Sequence, residues 1–322
     1  MSFQFGTSVI NTHFAPDVTT GWQHRPFNNQ ITAVIQQEVR PGLGVTAGYY
    51  RTWYGNKTVT DNLLVTPSDY TQYCVTAPTD PRLPNGGGNQ ICGIFDLNQN
   101  KVGQVDNLVV RDTDLKETYQ GIDLTGNWRF GKGGLLQGGI SFGQTKYNNC
   151  SVPDRPGTGG APATAVTPVL GQAPQATFCE YEWPWRGQTQ AKAQFAYPIW
   201  YDFRVALTYQ NNPGLAQAAT RSFSNAEIRP SLERDLSGNA TVAVVSLMAP
   251  NSRFEPRYQQ FDVRLSRRFQ IGQVRFEPRA DVYNLFNSVT ALGSISGYGA
   301  AWLRPTDALG ARLAKFGVQV DF

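Results

Sequence analysis

The chain has 322 residues and a net charge of +4; 40% of the residues are hydrophobic, 12% aromatic and 16% charged. Its longest apolar run falls far short of the ~20 residues that a spanning helix needs, which excludes a helical membrane protein. No basic run stands out among the 28 Lys and Arg, so nucleic acid is not expected as a partner. Low charge with many aromatic residues and 32 Gly suits a transmembrane β-barrel and a soluble β-sandwich alike.

Alternation of apolar and polar residues predicts antiparallel strands along most of the chain. A tight turn at Pro41-Gly42 separates the first two strands, and the glycine-rich segment 131–134 separates the next two. In chain order, the expected strands are 31–40, 43–54, 117–130, 135–147, 189–197, 201–210, 241–247, 260–272, 273–287 and 311–322.

Short turns alternate with long loops in this pattern. The long loops are expected at about 56–105, 148–186 and 288–310. Many of the strands are about 10–14 residues long, which suits tilted membrane strands better than the roughly 5–6 residues usual in soluble proteins. About ten to twelve such strands predict an all-β, antiparallel transmembrane β-barrel, with a soluble β-sandwich as the alternative.

The segment 260–287 has one apolar and one charged face. In a barrel, the apolar face would meet lipid and the charged face would line the lumen, whereas in a sandwich they would form the core and the solvated surface. Arg267 interrupts the apolar face near a turn, where its long side chain can reach the interface. Ordinary solvation and cross-strand pairing are the alternative role for the charged face. Its members are Arg264, Arg268, Arg275, Glu277, Arg279 and Asp281.

The four Cys fall as two separated pairs, Cys74 with Cys92 and Cys150 with Cys179. Each pair brackets a stretch rich in Pro, Gly, Thr and Asn, and the spacing is wider than in CxxC metal sites. We expect disulfides that close loops in an oxidising compartment, and free structural thiols are the alternative.

Several blocks of the sequence resemble the C-terminal barrel region of TonB-dependent outer-membrane receptors. The closest resemblance is to the Oar-like group, whose members often carry a carboxypeptidase-regulatory-like N-terminal domain. The blocks are ETYQGIDLTGNWRF (117–130), RYQQFDVRLSRRF (257–269), VRFEPRADVYNLFNS (274–288), KFGVQVDF (315–322) and the Cys-bearing loop 69–103. The resemblance covers most of the chain from about residue 29 onward.

This resemblance implies a 22-stranded barrel, a plug domain and a TonB box that takes up energy for the uptake of a bulky nutrient. The chain shows about half of those strands, and no plug, TonB box or signal peptide is visible in it. We therefore expect residues 1–322 to be the C-terminal part of a longer receptor of the bacterial outer membrane, either a truncated gene model or an excised portion. The expected partners are outer-membrane lipid, TonB through the missing N-terminal region, and an unknown nutrient ligand.

The final strand ends on an aromatic residue, which resembles the signal that the barrel-assembly machinery reads in outer-membrane proteins. Its apolar side chains would face lipid, and the alternating polar ones would face the lumen. The apolar positions are Phe316, Val318, Val320 and Phe322.

Three functions compete at this point. The leading hypothesis is a non-catalytic receptor or transporter without a cofactor. The second is a soluble β-sandwich that serves as a binding or adhesion module. The third, an outer-membrane barrel enzyme, would need a Ser/His or Asp/His arrangement, yet His13 and His24 both precede the first clear hairpin. The sequence therefore predicts neither catalytic residues nor a metal site.

Overall fold

The structure, a computed structural model, describes residues 12–22, 24–151 and 176–322. Antiparallel strands dominate it, and the prediction of an all-β antiparallel fold is confirmed. In chain order the strands are β1 (Thr12–Phe14), β2 (Phe27–Arg40), β3 (Leu43–Gly55), β4 (Lys57–Asn62), β5 (Tyr70–Thr76), β6 (Gln90–Leu97), β7 (Asn107–Asp112), β8 (Lys116–Phe130), β9 (Gly134–Asn148), β10 (Glu180–Trp183), β11 (Gln190–Pro198), β12 (Phe203–Asn212), β13 (Thr220–Ser224), β14 (Val242–Ser246), β15 (Tyr258–Arg267), β16 (Phe269–Ile271), β17 (Val274–Tyr283), β18 (Ala291–Ser294), β19 (Pro305–Ala308) and β20 (Leu313–Asp321). The helices are α1 (Pro16–Thr19), α2 (Trp185–Gln188) and α3 (Asn225–Leu232), and short 3-10 turns lie at Pro67–Asp69, Pro84–Gly86, Gln99–Lys101, Trp200–Asp202 and Ser237–Asn239.

Nine long strands of the described chain form one antiparallel meander. Their order across the sheet is β2, β3, β8, β9, β11, β12, β15, β17 and β20, so each strand pairs with the next long strand in the sequence. The short strand β16 continues β15 toward its turn and pairs with β17, and β10 pairs with the outer part of β9. The strand lengths match the long alternating segments of the sequence.

Short turns lie at one end of the meander and long connections at the other. The turns span 41–42, 131–133, 199–202 and 272–273, and the connections span 56–115, 149–189, 213–257 and 284–312. At the first turn Gly42 has φ 79°, and a Cβ there would lie 2.7 Å from the carbonyl oxygen of Arg129. The turn therefore requires glycine at this position.

The buried hydrophobic core lies in the connections and not under the sheet. We call the segments 56–115, 213–257 and 284–312 the loop cap. Helix α3 packs on β5 within it, and β13 pairs with β14. The core residues of the cap are Tyr73, Val75, Ala77, Leu83, Ile91, Ile94, Ala219, Phe223, Ile228, Leu232, Leu236, Ala243, Val245, Leu247, Met248 and Trp302.

Three details of the cap differ from the sequence expectations. The connection 213–257 is a fourth long loop, and the strand expected at 241–247 lies inside it as β14 rather than in the main sheet. The connections also contain ordered strands and a helix instead of turns alone. Helix α3 begins with a capping box, in which Glu227 accepts hydrogen bonds from the backbone N–H and the hydroxyl of Ser224.

The main sheet is open in the described chain, because β2 and β20 each pair on one side only. All 14 residues of β2 are exposed. On β20 every residue except Gly317 is exposed. Unpaired strand edges of this length invite pairing with further strands.

Candidate functional site

The strand register gives the main sheet an apolar face. Residues opposite one another in antiparallel strands project to the same side, so a cross-strand row shows the character of one face. One row through eight strands is apolar at every position. It consists of Leu43, Trp128, Leu136, Phe195, Leu207, Val263, Val282 and Ala314.

This apolar face is exposed rather than covered. Leu265, on β15, which is paired on both sides, is 42% exposed, and Phe316 on β20 is 80% exposed. Other exposed members are Ile35, Val45, Leu124, Ile140, Val318 and Val320. Contiguous apolar surface on this scale marks a contact with lipid or with another protein.

Aromatic rings gather on the apolar face near its turn end. The ring centroids of Trp128 and Phe130 lie 4.4 Å apart, and those of Phe130 and Tyr197 lie 5.7 Å apart. In the turn that follows β11, Trp200 and Tyr201 are 72% and 76% exposed. Aromatic residues in this position are typical of a membrane interface.

Arg267, the charge that interrupts the apolar face, lies at this same end. Its guanidinium group is 5.2 Å from the centre of the Phe203 ring, and its Nε donates to the carbonyl oxygen of Tyr201. The side chain therefore points toward the turns, at the edge of the apolar face.

The opposite, polar face has a charged half formed by β15, β17 and β20. Arg264 donates two hydrogen bonds to Asp281, and Arg268 forms an ion pair with Glu277. Lys315 lies opposite Asp281 in the register. The six charged residues expected to line a lumen thus share one face, and several of them pair across strands.

Arg279 completes the charged half. It lies opposite Ser266 on β15 and Gly317 on β20. A Cβ at Gly317 would lie 3.3 Å from Arg279 Nε, so the absence of a side chain there leaves room for the guanidinium group. Within the described chain, Nε of Arg279 is buried without a hydrogen-bond partner.

The other half of the polar face, which we call the amide half, extends over β2, β3, β8, β9, β11 and β12. The side chains of this half line an open groove with a volume of about 660 Å³. Asn127 donates to Gln137 at 3.4 Å, and Gln137 donates to Gln194 at 2.9 Å, which forms a ladder of amides across three strands. Further lining residues are Gln36, Thr46, Thr125, Lys192, Thr208 and Gln210.

The amide half was not expected from the sequence, although the sequence contains a signal for it. The same alternation that predicted apolar positions on β8, β9 and β11 places Asn, Gln, Thr and Ser at the intervening positions. What the sequence does not show is which strands are neighbours, and only neighbouring strands form a ladder.

Two disulfides lie among the long connections and join Cys74 to Cys92 and Cys150 to Cys179. The structure thus contains the disulfides expected from the sequence. The backbone N–H of Cys74 donates to Ser231 Oγ in α3 at 2.8 Å. The Thr177 hydroxyl donates to the carbonyl oxygen of Cys92, which ties the two disulfide-bearing loops together.

A polar cluster joins the first and last connections of the cap. Asp80 accepts hydrogen bonds from Arg82 and from the hydroxyl of Tyr298, and Arg82 lies 5.1 Å from the ring centre of Trp302. The hydrogen bonds from the Arg82 side chain and backbone lower the pKa of Asp80 to about 2. The indole N–H of Trp302 donates to the carbonyl oxygen of Ala218, which links the connection 213–257 to the same cluster.

A second polar cluster fixes α3 to β6. Arg234 forms an ion pair with Asp96 and also donates to the carbonyl oxygen of Leu97. Asp96 additionally accepts from the backbone and the hydroxyl of Ser237. The cap therefore has polar connections around its hydrophobic core, and these hold its segments together.

The C-terminal positions that resemble an assembly signal lie on the apolar face. Val320, Val318 and Phe316 oppose Phe276, Pro278 and Ala280 of β17. Phe322, directly after β20, is 99% exposed. Their role in assembly stays a prediction.

In the part of the chain that the structure describes, no three His, Cys, Asp or Glu side chains come together in a group that could hold a metal ion. His13 lies 3.4 Å from Asp106, and His24 Nδ1 donates a hydrogen bond to the carbonyl oxygen of Asp17. No helix among the described residues has the length and apolar character to cross a membrane.

Comparison with known proteins gives structural similarities only. No family model matches the sequence, and no curated protein matches it significantly. The structure is similar to the outer membrane transporter YddB from Escherichia coli, with 13% identity, 92% of this chain and 32% of that chain covered, and a TM-score of 0.44. It is also similar to the copper transporter OprC, with 11% identity, coverage of 92% and 31%, and a TM-score of 0.40.

A further similarity is to the ferric-catecholate import receptor Fiu from Escherichia coli K12, with 12% identity, coverage of 91% and 27%, and a TM-score of 0.40. The chain thus spans about a third of the length of the solved structures that it matches. At TM-scores below 0.5 these similarities do not define the fold, which rests on the strand pairing described above.

Proposed function

We propose that the chain forms the C-terminal part of the wall of an outer-membrane TonB-dependent receptor that takes up a bulky nutrient without covalent chemistry. The observation that carries this proposal is the distribution of apolar residues, which is the reverse of that in a soluble β-sandwich. Nine long strands expose an apolar face, while the buried hydrophobic core lies in the loop cap at one end.

Burial energetics support a lipid environment for the apolar face. In water, each exposed apolar side chain forfeits about 25 cal/mol per Å² that its burial would contribute. A soluble β-sandwich would cover this face with a second sheet, and in the described chain the residues of the apolar row are not part of the buried core. In lipid the face needs no cover, and the polar face can line water.

The whole receptor would supply what the open sheet needs. Lipid leaves no water to satisfy the free backbone groups of β2 and β20, so we propose that further strands pair with both edges to close a barrel of 22 strands. The sequence blocks that resemble the Oar-like group support membership in that group. Energy would arrive from TonB through the N-terminal region, and the barrel-assembly machinery would insert the barrel.

Site-directed spin labelling tests the membrane placement. Leu207 and Thr208 are neighbours on β12 and project to the apolar and the polar face. All four Cys are in disulfides, so Leu207→Cys and Thr208→Cys each introduce the single free thiol. In reconstituted bilayers, the label at position 207 should collide with oxygen and the label at 208 with a water-soluble nickel chelate.

The alternatives give different results in the same experiment. In a soluble β-sandwich the label at position 207 would be shielded from both reagents, and the protein would fractionate without membranes. That outcome would overturn the proposal. Partnership with TonB is tested separately, by loss of cross-links between the whole receptor and TonB when the receptor's N-terminal region is removed.

A further inference from the structure

The amide half and the charged half of the polar face differ sharply in chemistry. Lys192 is the one charged residue that lines the groove in the described chain. The rest of the lining consists of amides, hydroxyls, glycines and small or aromatic side chains. Each amide offers both donors and acceptors, so this surface matches a ligand rich in hydroxyl groups.

Tyrosine rings extend the amide half toward the cap. Tyr119 lies over Gly121 and Gly143, where a Cβ at Gly143 would be 3.0 Å from the ring. Tyr50 likewise lies over Gly48, where a Cβ would be 2.7 Å from the phenolic oxygen. Both rings are half-buried. Because glycine lets one face of each ring rest on the sheet, the other face is available as a flat apolar platform.

The platforms and the amide ladder form one continuous path. On β8, Tyr119 and Asn127 lie on the same face and are eight residues apart, which corresponds to about 27 Å along a strand. Between them, Asp123 accepts a hydrogen bond from the Ser141 hydroxyl. A path of this length suits an extended ligand better than a compact one.

We propose that the amide half binds an uncharged oligosaccharide, whose ring faces stack on Tyr50 and Tyr119 and whose hydroxyl groups hydrogen-bond to the amide ladder. This rests on the proposed function, since the polar face must line a water-filled lumen. Anions and anionic metal chelates are disfavoured, because a tight anion site needs charge-assisted donors, whereas the carboxylate Asp123 lies within this path. The arginines on the polar face of this half, Arg129 and Arg204, lie beside its turns, and Arg264 and Arg268 of the charged half are paired.

Binding measurements on the protein in detergent micelles test this assignment. The probes are maltoheptaose and cellohexaose as neutral ligands, with oligogalacturonate and a ferric catecholate complex as charged ones. A neutral oligosaccharide should bind, and the charged probes should bind at least tenfold more weakly.

Substitutions on β3 and β8 give matched controls. Tyr119→Leu and Tyr50→Leu should each weaken oligosaccharide binding about tenfold, because each loses a stacking surface. Tyr49→Leu changes the adjacent residue on the apolar face and should leave binding unchanged. Tyr119→Phe keeps the ring over both glycines and should retain affinity within about twofold.

Three results would overturn the proposal: no neutral probe binds, a charged probe binds with the same dependence on Tyr50 and Tyr119, or Tyr49→Leu weakens binding as much as Tyr50→Leu. The spin-label experiment separates this failure from failure of the proposed function. If Leu207 contacts lipid and Thr208 contacts water while no neutral oligosaccharide binds, the proposed place in a membrane barrel is supported and only the proposed ligand class is wrong.

Discussion

The side-chain amide of Asn284 donates to the carbonyl oxygen of Gly310, 26 residues further along the chain, at 2.9 Å. The same amide donates to the carbonyl oxygen of Ser288, and its oxygen accepts from the Ser288 N–H. Asn284 is buried and has φ 50°, a conformation that asparagine tolerates better than most residues. One side chain thus closes the connection between β17 and β20, which gives the asparagine in DVYNLFN a structural role.

Replacing this asparagine should destabilise the C-terminal hairpin. Asn284→Gly keeps the positive φ accessible and removes three side-chain hydrogen bonds, so we expect a loss of about 2–3 kcal/mol in the free energy of unfolding. Asn287→Gly is the matched control, because Asn287 also has positive φ but is exposed and accepts one bond, from the Arg312 N–H. Urea unfolding in detergent measures both, and equal losses would contradict this role.

The Asp80 cluster should make the loop cap sensitive to acid. Because its folded pKa of about 2 lies below the ordinary value of 3.8, Asp80 stabilises the cap fully above pH 4 and loses this effect as the pH falls through 2. Hydrogen exchange of residues 77–88, corrected for intrinsic rates, should therefore accelerate over this range.

Asp80→Asn provides the control for the acid effect. The variant should exchange faster than the native protein at pH 7, and the difference should disappear as the pH falls through 2, since protonation of Asp80 removes it. Identical exchange at pH 7 would show that the hydrogen bonds to Arg82 and Tyr298 do not stabilise the cap.

The Cys74–Cys92 disulfide should hold the first connection of the cap in shape. Its sequence separation is 18 residues, for which loop-closure entropy predicts about 3 kcal/mol of stabilisation. The double variant Cys74→Ala/Cys92→Ala should therefore be cleaved faster by protease within residues 69–103, with the main sheet intact. Cleavage at the native rate would show that the hydrophobic core and Ser231 hold this segment without the disulfide.

Placing a charge on each face of β12 should separate the two environments. Leu207→Arg puts the charge on the apolar face and should destabilise the membrane-inserted protein by about 2–4 kcal/mol if it lies near the bilayer midplane. Thr208→Arg puts the same side chain on the polar face and should cost much less. The yield of folded protein in the membrane fraction measures the difference, and equal yields would argue against lipid contact at Leu207.

The loop cap is packed like a small domain. Its core of buried residues, together with the Arg234–Asp96 ion pair, gives the connections a packed structure of their own. A packed cap can keep a fixed shape beside the end of the polar face that carries Tyr50 and Tyr119.

The long strands could be predicted from the sequence because period-two alternation is a local property. Segment 117–130 was expected as a strand, and it lies within β8, where Leu124 opposes Ala47 and Asp123 opposes Gly48. The connection 213–257 could not be interpreted in this way. Its strands are short, and its core forms with residues more than a hundred positions away, such as Ile94 with Ile228.

The sequence by itself determined which side chains share a face, where tight turns fall and which cysteines bracket loops, because alternation, Pro-Gly turns and spacing act over a few residues. Only the tertiary structure decided where the core lies, since packing in the cap joins three connections that are distant in sequence. It also decided that Asn127, Gln137 and Gln194 form one ladder. Neighbouring strands must be aligned in register before side chains from different parts of the chain can meet.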